Sequence, residues 1–403
     1  MLTTRQAAER LGVKPETLYA YVSRGLLTSH KAEGRRGSLF EAREVDALAR
    51  KSQGRQPDGA VPGGLAVRTG ITLIGSDRYY FRGVDAAELA ENYDYEEVAD
   101  WLWTGVMTSG IRFRAPDDLL AAAEPVVRAL PDTAGPVDRL RAAAVAASAA
   151  DPLRFDLTPD AVHATARGLI AALVDSLPVR GGRPPAKNAP IARRLWPRLT
   201  DRPADATSLR TLDTALALLI DHDLAASTLA ARAAASAHAN PYAVVSTGLS
   251  ALEGPLHGAA SGLAHRMLAD ALERGATAVV SEHLRAGRRV PGLGHRLYPG
   301  PDPRAELLFT LLDDVPRAHR ALEVAHQVAE LTRRHSPLHA NVDLALAVLS
   351  LTSGMPAEAG ETIFAVARTA GWIAHALEEY DERPLRMRPS GTYTGPRPPR
   401  PLP

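Results

Sequence analysis

Three short segments of this chain set a histidine or an aspartate near the start of a helical pattern. In Gly254-Pro255-Leu256-His257-Gly258-Ala259-Ala260 a histidine sits just ahead of an alanine-rich run, flanked by small residues. Small neighbours let a ligand approach the backbone, and a helix N-terminus favours the neutral imidazole. A neutral imidazole there donates a hydrogen bond to a carbonyl that becomes enolate-like. The second segment, Val290 to Tyr298, is a glycine-rich loop containing His295, and Asp302-Pro303-Arg304 follows it. Asp302 reads as an N-cap and Pro303 as the first helical position, which puts Arg304 in the first turn. Its guanidinium is suited to gripping a carboxylate with two hydrogen bonds. In the third segment, Ala340-Asn341-Val342-Asp343, the aspartate heads the apolar stretch Leu344 to Leu351. Burial there raises a carboxyl's pKa and suits it to act as a base.

These segments need helices to hold them. Alanine- and leucine-rich patterns recur at 117–129, 137–150, 159–176, 208–220, 224–237, 259–273, 303–312, 316–334, 341–352 and 357–379, with glycine or proline in most gaps. From residue 65 onward, short strands are expected only at Leu65-Ala66-Val67 and Ile71 to Ile74. No β-branched runs alternate with the helical ones, so a parallel sheet is not expected, and no fixed period suggests a solenoid. The stretch 179–206 reads as a loop with one short helix. The proline- and arginine-rich tail from Arg383 onward reads as extended on a surface. The expectation is an all-α body.

A different pattern precedes it. Thr3 can cap a helix from Thr4 to Leu11, and Gly12 ends it. Pro15 opens a second helix to Ser23, with Gly25 as its C-cap. Leu26-Leu27 and Ser38-Leu39-Phe40 read as strands around the basic tip 31–37, and a helix from Glu41 to about Lys51 closes the module. On this helix-turn-helix reading, Tyr19, Tyr21 and Arg24 face a major groove, and Arg35 and Arg36 on the wing reach phosphate. Residues 1–56 hold eleven Lys/Arg against six Asp/Glu, a local +5, while the remaining 36 against 40 give −4. That asymmetry suits a basic binding module joined to a mildly acidic body. The boundaries read as 1–52 for the module, 53–64 for a linker, 65–395 for the body and 396–403 for a tail.

Composition excludes some chemistry. The 403 residues include no cysteine, which removes disulfides, cysteine nucleophiles and thiolate metal sites. No apolar run reaches the roughly 20 residues of a membrane span. Met1 to Gln6 does not read as a signal peptide, so a cytoplasmic protein without a membrane partner is expected. His335 and His339 are four apart, but Pro337 interrupts a helix between them and no acidic third ligand is evident, so no metal site is expected. His238, His265, His283 and His375 read as ordinary helix residues.

GPLHGAA, VPGLGH followed by DPR, and ANVD, in that order, resemble the citrate synthase family. DRYYFRGVDAAELAENYDYEEVADWLWTG, DHDLAASTLAAR, the segment Ala367 to His375 and the segment Arg388 to Gly395 resemble further pieces of it. The resemblance covers about residues 65–395. It implies a two-domain helical body whose small domain, about 258–352, closes over the large one. It implies condensation of acetyl-CoA with oxaloacetate to citrate and free CoA, through an enol and citryl-CoA, with a CoA thioester as substrate and no cofactor. By position, Asp343 resembles the base that takes the methyl proton and His257 the donor to the thioester oxygen. His295 resembles the group that polarises the ketone. His222, Arg304 and Arg368 resemble the residues holding the oxaloacetate carboxylates. Arg388 resembles an arginine supplied across a homodimer interface. Arg289, Pro291, Gly292 and Gly294 resemble part of a CoA-binding surface. The first 50 residues resemble the MerR or excisionase type of winged helix-turn-helix, which implies DNA as a partner.

The chain departs from the family pattern in places. Leu344-Ala345-Leu346 stands where aromatic-Ser-Gly is usual, Asp223 and Ala225 stand beside His222 where Glu and Asn are usual, and Ser390 replaces a second arginine. A 2-methylcitrate synthase using propionyl-CoA is therefore an alternative. So is a DNA-binding regulator whose synthase-like body senses a metabolite.

Overall fold

The computed structural model describes residues 1–11, 18, 21–22, 27–31, 38–42, 44–45, 67–254, 257–258, 260–387 and 394–395. The chain divides into two compact units, Met1–Arg68 and Thr69–Pro403.

In the first unit, β1 (Leu2–Thr3) leads into α1 (Thr4–Leu11), and β2 (Ser29–Lys31) and β3 (Ser38–Phe40) complete an antiparallel sheet ordered β1-β3-β2. Thr3 and Gln6 cap α1 reciprocally. The Gln6 side chain accepts from Thr3 N at 3.0 Å, and Gln6 N donates to Thr3 Oγ1 at 3.4 Å. Ala7, Ala8, Leu18, Leu27, Phe40 and Val45 form its core, with Tyr21 packed against them. Leu27 is a bend, and the strand expected at Leu26-Leu27 begins instead at Ser29. Leu27 turns into the core rather than joining a ladder, and Leu26 lies outside the described residues.

The second unit opens with an antiparallel meander, β4 (Thr72–Ile74), β5 (Tyr79–Phe81) and β6 (Val84–Asp85), in register Thr72↔Phe81 and Tyr80↔Asp85. Arg82 and Gly83 join β5 to β6 with φ of 47° and 84°. This is the all-positive two-residue turn that matches strand twist. No strand forms at Val67, where one was expected, and Leu65 and Ala66 lie outside the described residues.

Among the described residues, the regular elements after the meander are helices. α2 (Ala86–Asn92), α3 (Tyr95–Thr104), α4 (Asp117–Ala129), α5 (Pro136–Ala150), α6 (Pro159–Ser176), α7 (Ile191–Leu199), α8 (Ala206–Leu218), α9 (Ala226–Ser236) and α10 (Pro241–Leu252) come first. α11 (Ala260–Arg274), α12 (Ala276–Arg285), α13 (Pro303–Asp313), α14 (His319–Arg333), α15 (Val342–Thr352) and α16 (Ala359–Asp381) follow. Helices α11 to α15 pack largely on one another, while α16 runs through the middle against α3, α6, α8, α9, α10 and α11.

Several helices were not expected: α2, α3, α10 and α12. The sequence of α10, PYAVVSTGLSAL, is poor in helix formers. Capping and packing override this. The Asn240 side chain accepts from Ala243 N at 3.0 Å, Pro241 takes the first helical position, and Gly248 lets the Trp372 ring lie against the backbone. A Cβ on Gly248 would stand 2.5 Å from that ring. The start of the tail also differs from expectation. Pro384 to Met387 make a turn, Met387 is buried, Leu385 N donates to Ser236 O at 2.7 Å, and Arg386 pairs with Glu379. A buried carboxylate and an apolar side chain hold this segment where composition suggested a solvated strand.

Candidate active site

Arg368 and Gly371 on α16 fix the segment 219–222. Arg368 Nε donates to Leu219 O at 3.0 Å. Gly371 faces the Ile220 carbonyl so closely that only a hydrogen fits. His222 ends this segment and is almost fully buried. Asp223 then turns the chain with φ 59°, a conformation aspartate tolerates better than most residues.

His222 Nε2 lies 2.8 Å from the Tyr298 hydroxyl, and its ring meets the edges of Tyr79 and His295, with centroids 5.3 and 5.0 Å away. Burial holds its pKa well below the usual histidine range, helped by the charges of Arg304 and Arg368. His295 is depressed to about 4 by burial and by Arg304. The Leu297 N–H donates to His295 Nδ1 at 3.1 Å, so the neutral ring carries its proton on Nε2. His257 is also depressed to about 4, by burial and then by Arg368. Its Nε2 lies 2.8 Å from Ser227 Oγ, and its ring meets Phe364 edge-on.

The loop with His295 is zipped to the segment leading to Asp343. Gly294 N donates to His339 O at 2.7 Å, Asn341 N to Gly292 O at 3.0 Å, and Asn341 Nδ2 to Gly294 O at 2.9 Å. Gly292 and Gly294 have φ of 79° and 81° and press against Leu344 and Leu338. Asn341 caps α15 by accepting from Asp343 N at 3.0 Å. Asp343 itself accepts from Ser261 Oγ. Burial lifts the Asp343 pKa above the ordinary carboxylate range, against the opposing pull of Ser261 and Arg304.

The two guanidiniums are used differently. Arg304 is buried, and its Nε and Nη2 donate to the two Asp302 oxygens at 2.9 and 2.8 Å. Asp302 also accepts from Val342 N at 3.1 Å, so it joins α13 to α15. Arg368 is buried with its Nη1 lacking a hydrogen-bond partner, and its guanidinium lies 4.5 Å over the Phe364 ring. Burial pulls its pKa down to about 10. The charge of Arg304 acts on His222, His295 and Asp343, and that of Arg368 on His222 and His257. Six of the expected residues therefore share one electrostatic neighbourhood.

Of the other expected residues, Arg289 is exposed, Pro291 is half-buried, and Arg388 lies outside the described residues. Tyr19, Arg24, Arg35 and Arg36 also lie outside them, and Tyr21 is half-buried. Among the described residues no group of three or more His, Asp or Glu side chains is placed to hold a metal ion.

Sequence reasoning missed Tyr79, Tyr298, Ser227, Ser261 and Phe364. It also misread His375 and His238. His375 is fully buried. Arg232 Nη1, which can only donate, meets its Nδ1 at 2.6 Å, and its Nε2 faces Asp221 Oδ1 at 3.2 Å. His238 is in the turn after α9 with φ 58°. A histidine inside an alanine-rich helix carries no sequence signal of what stands opposite it.

Neutral imidazoles, a proton-avid carboxylate and two buried guanidiniums in one helical framework describe an α-helical acid–base enzyme. A family model described as "Citrate synthase, C-terminal domain" matches residues 61–390, and one described as "Helix-turn-helix domain" matches residues 1–53. The citrate synthase of Haloferax volcanii is 31% identical over 358 residues, which cover 83% of this chain and 94% of that protein. The 2-methylcitrate synthase 1 of Corynebacterium glutamicum is 28% identical over 79% of this chain and 90% of its own. The solved citrate synthase of Thermotoga maritima MSB8 superposes with a TM-score of 0.69 at 26% identity, covering 86% of this chain and 98% of that one. The chain belongs to the citrate synthase family.

Proposed function

We propose that this protein condenses acetyl-CoA with oxaloacetate to give citrate and free CoA. In this reading Asp343 takes a proton from the thioester methyl group, while the His257 nitrogen not engaged by Ser227 donates to the thioester oxygen. The resulting enol attacks the ketone carbon of oxaloacetate, and His295 Nε2–H donates to the ketone oxygen as it becomes a hydroxyl. Water then cleaves citryl-CoA to citrate and the CoA thiol. A thioester methyl is a weak acid, so the base and the oxygen donor must act together.

The observation that carries the reading is the buried, unpartnered Nη1 of Arg368, whose charge acts on His222 and His257, with the His295 ring 5.0 Å from that of His222. A cationic donor without a partner in a desolvated pocket calls for an anionic ligand. A dicarboxylate ketone supplies the charge to Arg368 and the carbonyl to the imidazoles. Arg304 adds its field, and Arg388 of a second copy completes the set in a homodimer. Exposed Arg289 and the loop with Pro291, Gly292 and Gly294 lie toward CoA. Closure of α11 to α15 over the rest excludes water until the carbon–carbon bond has formed.

The test is oxaloacetate-dependent release of thiol from acetyl-CoA, with propionyl-CoA alongside. Release with acetyl-CoA, abolished by Asp343→Ala, is expected. Silence with both thioesters sinks the enzymatic reading, and a preference for propionyl-CoA moves it to 2-methylcitrate. The match to a helix-turn-helix family over residues 1–53 supports DNA binding as a second task. Salt-dependent retardation of a duplex should then vanish on deletion of residues 1–52, and equal retardation by the truncated protein counts against it.

A further inference from the structure

Asp343 does not stand alone at the head of α15. Ser261, in the first turn of α11 and almost fully buried, turns its hydroxyl onto Asp343 Oδ1. The α16 backbone closes in from the other side. A Cβ on Gly360 would stand 2.7 Å from Ser261 Cβ and 3.8 Å from Leu346 Cβ, one turn beyond Asp343. Only a glycine lets α16 pack against α11 and α15 together at this level. Ser261 also lies four residues after His257, whose Nε2 meets Ser227. One short segment therefore carries both the candidate donor to the thioester oxygen and a donor to the base.

We propose that Ser261 is a positioning residue for the condensation, holding the Asp343 carboxylate in its reactive orientation and keeping it ionised. The inference rests on the reading of Asp343 as the base. Its chemistry follows from what a carboxylate needs in this place. Burial alone favours the protonated form, which cannot accept a methyl proton. A hydroxyl donor stabilises the ionised form and occupies Oδ1, leaving Oδ2 to face the substrate. When Oδ2 takes the proton, the Oδ1 bond weakens as the charge is lost, and no atom besides that proton is transferred. The other charged groups acting on this carboxylate are Arg304 on α13, which favours ionisation, and Asp302 before it, which opposes it. Neither touches Asp343 directly, so the direct contact belongs to Ser261.

The experiment is a pH profile of kcat/KM for acetyl-CoA in full-length wild type, Ser261→Ala, Ser261→Cys and Asp343→Ala, with thermal melts of each. In Ser261→Ala the acid limb should move to higher pH and kcat at neutral pH should fall roughly ten-fold, the worth of one hydrogen bond to a charged group. KM for oxaloacetate should hold. Ser261→Cys, with a weaker donor, should fall between serine and alanine. An unchanged acid limb in Ser261→Ala overturns the proposal. So does a loss that tracks a lower melting temperature and affects both substrates equally. If Asp343→Ala keeps turning over, it is the assignment of the base that fails, whatever Ser261→Ala does.

Discussion

Gly371→Ala makes the sharpest test of how α16 holds the acceptor side of the site. Gly371 is buried in the middle of a 23-residue helix, where glycine normally costs about 0.5–1 kcal/mol relative to alanine. On propensity alone the substitution should stabilise. The structure predicts the opposite, because the new Cβ would stand 2.1 Å from the Ile220 carbonyl oxygen and 3.2 Å from Asp221 Cβ. Carbon–oxygen contacts are comfortable only beyond about 3.3 Å, so the 219–222 segment and α16 must part by roughly 1 Å. The obstacle is backbone, so no rotamer change relieves it. Overpacking of this kind costs about 1–3 kcal/mol, which after the propensity gain leaves a net loss of up to about 2.5 kcal/mol. The same shift stretches the 3.0 Å bond from Arg368 to Leu219 O and moves His222. A misplacement of about 1 Å can cost on the order of 100-fold in rate. Urea unfolding should show a lower midpoint with unchanged slope. Steady-state kinetics should show KM for oxaloacetate raised at least ten-fold (roughly 1.4 kcal/mol), with KM for acetyl-CoA little changed. A higher midpoint together with an unchanged oxaloacetate KM would refute the clamp.

Three further outcomes follow from the same geometry. His257 and His295 titrate near 4 in the folded protein and near about 6.5 when unfolded, so the unfolded state binds more protons between these values. Their contribution to stability is complete above about pH 6.5 and is lost as pH falls through about 4; denaturant midpoints of His257→Gln and His295→Gln should depend less on pH across that window. Asp213, raised to about 7 by burial and by Asp94 and Glu96, runs the other way: its folded pKa is above its unfolded one, so stability falls as pH rises toward 7. Asp213→Asn should therefore raise the unfolding midpoint more at pH 8 than at pH 5, and a pH-independent effect would contradict the assignment. Arg368→Lys should raise KM for oxaloacetate more than it lowers stability, while Arg304→Lys should lower stability as well, because Asp302 loses a two-point partner; calorimetry beside kinetics separates the two.

The sequence carried the helical framework well where capping and an apolar stripe coincide. Asp302-Pro303 opens α13, Asn341 opens α15, and both helices lie within a residue of their expected bounds. It failed where long-range packing decides. α10 is a helix because Asn240 caps it and Trp372 covers Gly248, and Trp372 is more than a hundred residues away. The meander from β5 to β6 was read only as a motif, since strands of three and two residues leave too little alternation to recognise.

The site divides along the same line, and the arginines show why. Arg304 and Arg368 looked alike as candidate carboxylate grips. Folded, Arg304 spends its Nε–Nη2 edge on Asp302 two residues before it, and that carboxylate also takes the Val342 N–H at the head of α15. Arg304 thus fastens α13 to α15 and sends its field to His295 and Asp343. Arg368 has no such local partner, and it keeps a buried donor in reserve. The difference comes from what lies opposite each side chain, as it does for His375. That histidine passes from Arg232 on α9 to Asp221 beside His222, and Thr72 of the meander donates to the same aspartate at 2.5 Å. Chain order reveals which residues are present for chemistry. It does not reveal that the aspartate next to His222 is held by a helix through His375 and by a strand through Thr72, with Arg232 of a second helix backing His375.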